Sequence, residues 1–377
     1  LNGQVTCSVG RAVEAEQLLR REPVQTDLSQ VHEMLMGQRV LVTGAGGSIG
    51  SELCRQVVKC KISRLILLGH GENSLYSISN ELAQTYPGLN MSVVIADIRD
   101  LDRLEQVFER ERPSIIFHAA AHKHVPLMET NVEEAVTNNV QGTHNLLTLA
   151  GRMGIQRFVL ISSDKAVNPT SVMGATKRVA ERVVRRKAQE VGRPFVAVRF
   201  GNVLGSRGSV VPLFQEQIAR GGPITVTHPD ITRYFMTIPE AVQLVLQAAA
   251  LGLGGEIFVL DMGTQIKIVD LARELVQLSG FQLGRDIDIV FTGLRPGEKL
   301  YEEIFIGTER YARTEHEKVF VSRADIGSPE DPVLLGRQVA ELVRHACNGD
   351  AQAIRLKLRE IVPEFTDTCT EMVRETA

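Results

Sequence analysis

The chain has 377 residues, a formal net charge of -3 and ordinary apolar and charged fractions, enough to bury a large core in one elaborated domain or two intimate ones. The charge and the lack of any Lys/Arg block exclude a nucleic-acid footprint and a polybasic membrane patch. Cys7, Cys54, Cys60, Cys347 and Cys369 form no C-x-x-C pair, which speaks for reduced thiols; no apolar run approaches the roughly 18 residues of a membrane span, and no signal peptide opens the chain.

Residues 1–36 read as a charge-rich lead-in in which Arg20-Arg21-Glu22-Pro23 breaks any helix. The pattern then becomes periodic. Arg39-Val40-Leu41-Val42-Thr43 predicts a strand, a glycine-rich stretch follows it, and helical spacing runs over about 51–59. Further strands are expected at 65–68, 93–95, 115–117, 158–161 and 195–198, with helical stretches between them, notably 132–150 and 175–189. This alternation argues for an α/β chain with a doubly wound parallel sheet covered on both faces. After Asn202 the rhythm loosens, punctuated by Gly221-Gly222-Pro223, Gly252-Leu253-Gly254-Gly255 and Arg295-Pro296-Gly297. The expected organisation is a sheet domain over 37–201, rejoined by 236–262 through a seventh strand near 256–260. A smaller substrate-side region covers 202–235 and 263–330, and a tail over 331–377 is helical from 333 to about 361.

Thr43-Gly44-Ala45-Gly46-Gly47-Ser48-Ile49-Gly50 joins the first strand to the first helix. Ile49 breaks a strict G-x-G-x-x-G, but Gly44, Gly47 and Gly50 fit T-G-x-x-G-x-x-G. Glycines there let the backbone approach a pyrophosphate, and the helix N-terminus offers unpaired N–H groups. Between a strand and a helix the loop reads as dinucleotide-binding. Glu72, the nearest acid after the second strand, serves equally as an adenosine-ribose acceptor or as a helix N-terminal charge. Asp97, after the third strand, either meets the adenine or caps its loop. No arginine immediately follows the second strand to receive a 2′-phosphate, which favours NAD over NADP.

Ser163-Asp164-Lys165 places an acid and a base side by side at the end of an apolar strand, where the crevice of a parallel sheet lies. Neighbouring groups of opposite proton affinity can expel water from a carbon skeleton. His118, His122 and His124 complete no recognisable ligand spacing, so no metal is expected.

With Ala119-Ala120-Ala121-His122-Lys123-His124-Val125-Pro126-Leu127-Met128-Glu129, Met173-Gly174-Ala175-Thr176-Lys177, Arg199-Phe200-Gly201-Asn202-Val203-Leu204-Gly205-Ser206 and Arg295-Pro296-Gly297-Glu298-Lys299, these motifs resemble the extended short-chain dehydrogenase/reductases. Within them they resemble the polysaccharide-biosynthesis 4,6-dehydratases acting on UDP-N-acetylglucosamine. The resemblance covers roughly 37–303 and implies a Rossmann-like fold with a smaller C-terminal substrate-binding region. It implies NAD contacts at Gly44, Gly47, Ser48, Ile49, Gly50, Glu72, Asp97, Ile98, Ala119, Ala120 and Lys177. Asn202, Ser209, Val210, Thr225, Arg233, Arg295 and Glu298 would meet the UDP-sugar. Arg233 is there a phosphate fork or a surface ion pair, Arg295 with Glu298 a substrate contact or a local salt bridge, and Lys123 a cleft residue or a solvated one.

The implied reaction oxidises C4, removes water across C5 and C6, and reduces C6. Ser163 binds the 4-hydroxyl, a neutral Lys165 takes the C5 proton, and a protonated Asp164 donates to the departing C6 hydroxyl. Met173 stands where the superfamily carries a tyrosine four residues before the lysine, as in some large dehydratases that retain the C5 configuration. A thioether transfers no proton, so the 4-hydroxyl proton leaves through Asp164 or a water. Arg21-Glu22-Pro23-Val24 resembles the segment that follows the membrane helices of those large members, and the chain starts at Leu1. Both suggest the cytoplasmic catalytic part of an inner-membrane protein, touching the membrane only through an upstream segment. The rival readings are a UDP-sugar 4-epimerase and a non-catalytic NAD-binding module. A homo-oligomer would pack through the faces of 132–150 and 175–189.

Overall fold

The computed structural model describes residues 28–307, 310–323 and 332–367. The Arg20–Val24 segment, Cys7 and Cys369 lie outside them. The apolar runs become strands, buried on both faces except at the half-exposed edge strand β3: β1 (Arg39–Thr43), β2 (Arg64–Gly69), β3 (Met91–Ile95), β4 (Ile115–His118), β5 (Arg157–Ile161), β6 (Phe195–Arg199) and β7 (Ile257–Leu260). All seven pair in parallel. A hairpin of β8 (Arg310–Arg313) and β9 (Val319–Arg323) adds antiparallel to β7, so the sheet runs β8-β9-β7-β6-β5-β4-β1-β2-β3. The order reverses between β1 and β4, where a parallel sheet opens its crevice.

One apolar layer packs the sheet against the helices Leu101–Glu111, Val132–Val136, Gly142–Arg152 and Val172–Val191. The other packs it against Ser29–Leu35, Ser48–Val57, Glu72–Thr85 and Ile238–Leu251. A third cluster, built on Phe214, Ile224, Leu271 and Leu275, makes the small lobe above the carboxyl ends of the strands. Its short strands pair as Asn202–Val203 with Phe235–Met236, Thr232–Arg233 with Ile266–Lys267, and Ile224–Val226 with Ile289–Phe291.

Three features depart from the sequence reading. Residues 310–323, expected in the substrate-side region, extend the main sheet, because Tyr311 and Val321 pack on its apolar layer. The helical tail is two helices, Pro332–Cys347 and Ala351–Ile361, broken at Gly349 with a φ of 68°. The Asp350 carboxylate accepts the Ala353 N–H at 3.0 Å and starts the second helix. These helices pack on Val132–Val136 and Val172–Val191. Finally, a π-helical turn at Thr137–Gln141 interrupts the predicted helix over 132–150. It turns the Asn139 amide onto both backbone groups of His122 and onto Thr176, joining the loop after β4 to the helix Val172–Val191.

Candidate active site

A cleft of about 730 Å³ opens between the carboxyl ends of the strands and the small lobe, within the usual range for small-molecule sites. Its floor begins where β5 ends. The Ser163 hydroxyl accepts the Lys165 N–H at 3.3 Å, capping a short turn over Asp164–Ala166. The same hydroxyl donates to Asp164 Oδ1 at 2.9 Å, and Lys165 Nζ donates to that oxygen at 3.0 Å and to Asn202 Oδ1 at 3.1 Å. The turn presses on the next helix, where a Cβ at Gly174 would fall 2.2 Å from the Lys165 carbonyl oxygen. Gly174 thus lets Val172–Val191 seat Met173 and Lys177 beside the acid-base pair. Lys177 Nζ donates to the Ile161 carbonyl at 2.9 Å, and burial, partly opposed by Glu181, brings its amine down to about 8.

Two expectations for the pair are corrected. Asp164 is fully buried and takes no part in the cleft wall, because it lies under Ser163, Lys165 and the 200–201 backbone. It meets the cleft only through its two hydrogen-bonded neighbours. For Lys165, burial pulls the affinity for a proton down, but Asp164 and a second carboxylate, Glu302, outweigh this and hold it above the ordinary lysine range, which opposes the neutral amine expected.

At the nucleotide end, a Cβ at Gly44 would lie 2.8 Å from the Ala119–Ala120 backbone, and one at Gly50 would lie 2.1 Å from the Gly44 carbonyl oxygen. Only glycine permits that packing, and it leaves Gly47, Ser48, Ile49, Gly50 and Ala119 lining the cleft at a helix N-terminus. This cradle fits a pyrophosphate. Gly44 and Ala120 back it from beneath. Glu72, Asp97 and Ile98 lie beyond the lined cleft, past the ends of β2 and β3. Glu72 is exposed at the start of its helix, and Ile98 is buried against Gly142. Asp97 is bound by the Arg99 guanidinium at 2.7 Å, which holds its carboxyl below the usual range, and Arg99 also grips Glu134 at 3.0 Å.

Lys123, Asn202, Ser209, Val210, Thr225, Arg233, Arg295 and Glu298 all line the cleft. Lys123 Nζ donates to Ser206 at 3.3 Å; burial, Lys165 and Arg207 together lower its proton affinity. Arg233 is buried and holds chain segment 298–302. Its guanidinium donates to the carbonyls of Thr232 at 2.7 Å and Lys299 at 2.8 Å, with Glu298 at 3.6 Å and Glu302 at 3.8 Å. Arg295 pairs with Glu298 at 3.3 Å. Arg295 is thus in the local salt bridge and also lines the cleft.

Sequence reasoning missed three residues. Glu302 is buried in the cleft wall, but neighbouring Glu303 is exposed, and nothing in the sequence says which of the two turns inward. Arg207 reaches across the cleft, its backbone N–H on Ser48 Oγ at 3.1 Å and its guanidinium on the Gly46 carbonyl. Glu181, one helical turn beyond Lys177, is paired in full burial with Arg199 at 2.7 Å. The i, i+4, i+8 spacing of Met173, Lys177 and Glu181 is the one signal that could have found it. Among the described residues no group of three His, Cys, Asp or Glu side chains could hold a metal ion.

Residues 40–324 match the family described as polysaccharide biosynthesis protein. The chain is 54% identical over 327 residues to the capsular polysaccharide biosynthesis protein CapD of Staphylococcus aureus, covering 86% of this chain and 54% of the relative. It thus spans about half the length of that relative. It is 31% identical to an inverting UDP-N-acetylglucosamine 4,6-dehydratase of Campylobacter jejuni (76% of this chain, 83% of the relative) and 32% identical to a UDP-glucose 4-epimerase of Rickettsia canadensis (75% and 81%). The X-ray structure of Pen from Bacillus thuringiensis superposes with a TM-score of 0.71 at 33% identity, covering 78% of this chain and 90% of that one. A parallel sheet that reverses order at a glycine cradle, and a family match over three-quarters of the length, lead to one assignment: the chain belongs to the polysaccharide biosynthesis protein family of extended short-chain dehydrogenase/reductases.

Proposed function

We propose that the chain is a nucleotide-sugar 4,6-dehydratase that converts UDP-N-acetylglucosamine to UDP-2-acetamido-2,6-dideoxy-4-hexulose, with the C5 configuration retained. The observation that carries this reading is the Asp164–Lys165 pair, hydrogen-bonded at 3.0 Å, with Lys165 in the cleft wall near Lys177 and Asp164 buried beneath it. An epimerase working through C4 alone has no use for a second acid-base pair. NAD, cradled by Gly44 to Gly50 with Lys177 at its nicotinamide ribose and Glu72, Asp97 and Ile98 toward its adenosine, would accept hydride from C4 and return it to C6.

The protein supplies the proton transfers. Moving the Lys165 proton across its hydrogen bond to Asp164 makes a neutral amine and a protonated carboxyl in one step. The amine then takes the C5 proton, made acidic by the C4 ketone. The Asp164 proton reaches the departing C6 hydroxyl through Ser163, whose Oγ is 2.9 Å from Oδ1 and lines the cleft. The two leave together as water. The 4-hydroxyl proton passes to water as C4 is oxidised; returning the C5 proton from Lys165 completes the product and leaves a neutral amine beside an ionised Asp164, and the amine regains one proton from water to restore the resting pair. Lys123, Arg295 and the small lobe would hold the UDP end, with Glu298 and Asn202 orienting the sugar.

Incubation with UDP-N-acetylglucosamine in deuterated water is expected to give a product one water lighter, carrying deuterium at C5 in its proton NMR spectrum. Epimerisation would leave the mass unchanged and C5 unlabelled. Asp164→Asn and Lys165→Met should each abolish the product while bound NAD is kept; unchanged turnover in either variant would end the assignment.

A further inference from the structure

Glu302 is a second carboxylate on the acid-base amine. It projects from the segment after the Arg295-Pro296-Gly297 turn and is only 4% exposed. Its Oε1 lies 3.5 Å from Lys165 Nζ and 3.8 Å from Arg233 Nε. Its backbone carbonyl accepts the Gln265 amide at 2.7 Å, and Arg233 anchors the preceding Lys299 carbonyl, so the side chain is delivered from both ends. Its other oxygen, Oε2, is buried and has no hydrogen-bond partner among the described residues. A buried carboxylate oxygen left unpaired is costly, and this one stands beside the acid-base amine, in the cleft wall.

We propose that Glu302 is a positioning residue of the proton-transfer site: with Asp164 it brackets the Lys165 ammonium, fixes Nζ at the cleft wall and sets how readily the amine gives up its proton. The proposal deepens the dehydratase reading, whose base it governs. The groups facing Lys165 are Asp164 on its own turn, Glu302 beyond the small lobe, Arg233 on the short strand Thr232–Arg233, and Lys123 after β4. The two cations oppose the two carboxylates. Removing one carboxylate therefore tips the balance toward the neutral amine.

The test reads Lys165 directly. The protein is acylated with dilute acetic anhydride at a fixed pH near 8.5, and the rate at Lys165 is followed by peptide mass spectrometry, with Lys177 as internal control. Loss of one adjacent charge lowers an amine's pKa by about one unit, so Glu302→Gln should speed Lys165 acylation about tenfold. Glu302→Asp, which withdraws the carboxylate by one methylene, should give a smaller rise, and it decides the matter should the Gln variant fail to fold. Rates equal to wild type at Lys165 in the folded variants would overturn the proposal. In turnover, the acidic limb of the pH profile should move downward in Glu302→Gln, with kcat changed more than KM. A wild-type protein that removes no water from UDP-N-acetylglucosamine would sink the dehydratase reading, and the acylation rates would still judge Glu302.

Discussion

His118 shows how a single residue can look functional in sequence and prove structural in space. It ends β4 beside the cleft, but Nδ1 meets Thr43 Oγ1 at 2.7 Å and Nε2 meets Thr143 Oγ1 at 2.9 Å, so neither nitrogen is left for a metal. Burial, aided by Lys177, lowers its proton affinity from the ordinary 6.5 to about 3. The unfolded chain therefore binds a proton here between pH 6.5 and 3 that the folded chain refuses. Stability is full above 6.5 and falls with pH by up to about 1.4 kcal/mol per unit from this group. Urea denaturation at pH 7 and pH 5 should show that loss in the wild type, and a His118→Gln variant should show a smaller one.

The helix Val172–Val191 is the element on which the site depends. One face carries Met173, Lys177 and Glu181, and the last of these clamps the helix to the sheet. Glu181 accepts Ser162 Oγ at 2.6 Å and pairs with Arg199 at the end of β6, both side chains fully buried. Such a pair adds little net stability over apolar packing, but removing one partner strands a buried charge. Glu181→Gln should cost about 3–5 kcal/mol in chemical denaturation. A double replacement, Glu181→Leu with Arg199→Met, should recover much of it; a single variant within 1 kcal/mol of wild type would contradict the clamp. Ser162 belongs to the strand end that leads into Ser163, so milder changes here should lower turnover before they lower the melting temperature.

At the scale of the molecule, the C-terminal helix pair closes one apolar face of the sheet domain. Leu335, Val339, Leu342, Ile354, Leu358 and Ile361 are buried in the layer that also holds Ala135, Val136, Val179 and Val183. Arg355 fastens them by ion pairs to Glu129 at 2.9 Å and Asp367 at 2.8 Å, and Arg178 holds Glu364 at 2.8 Å. The Glu129 carboxylate also accepts the Val172 N–H at 2.7 Å, at the first turn of the helix Val172–Val191. Ending the chain at residue 331 would bare a contiguous apolar face larger than soluble monomers usually carry. Sedimentation should show the shortened protein self-associating at concentrations where the full chain does not. An unchanged sedimentation coefficient per chain would refute this.

Strand positions, their parallel pairing and the glycine cradle were legible in the residues because each rests on local rules: apolar runs bounded by turns, and glycines where no Cβ fits. The adjacency of Ser163, Asp164 and Lys165 was equally plain, being covalent. What the sequence by itself determined was therefore the sheet and where its cleft must open. The tertiary structure alone decided that Asp164 faces inward, that Glu302 and not Glu303 meets Lys165, that residues 310–323 rejoin the sheet, and that the terminal helices cover their own chain. These outcomes depend on contacts between segments more than a hundred residues apart in several cases, and the Lys165 amine answers both to its neighbour Asp164 and to Glu302, a charge that only the fold brings to it.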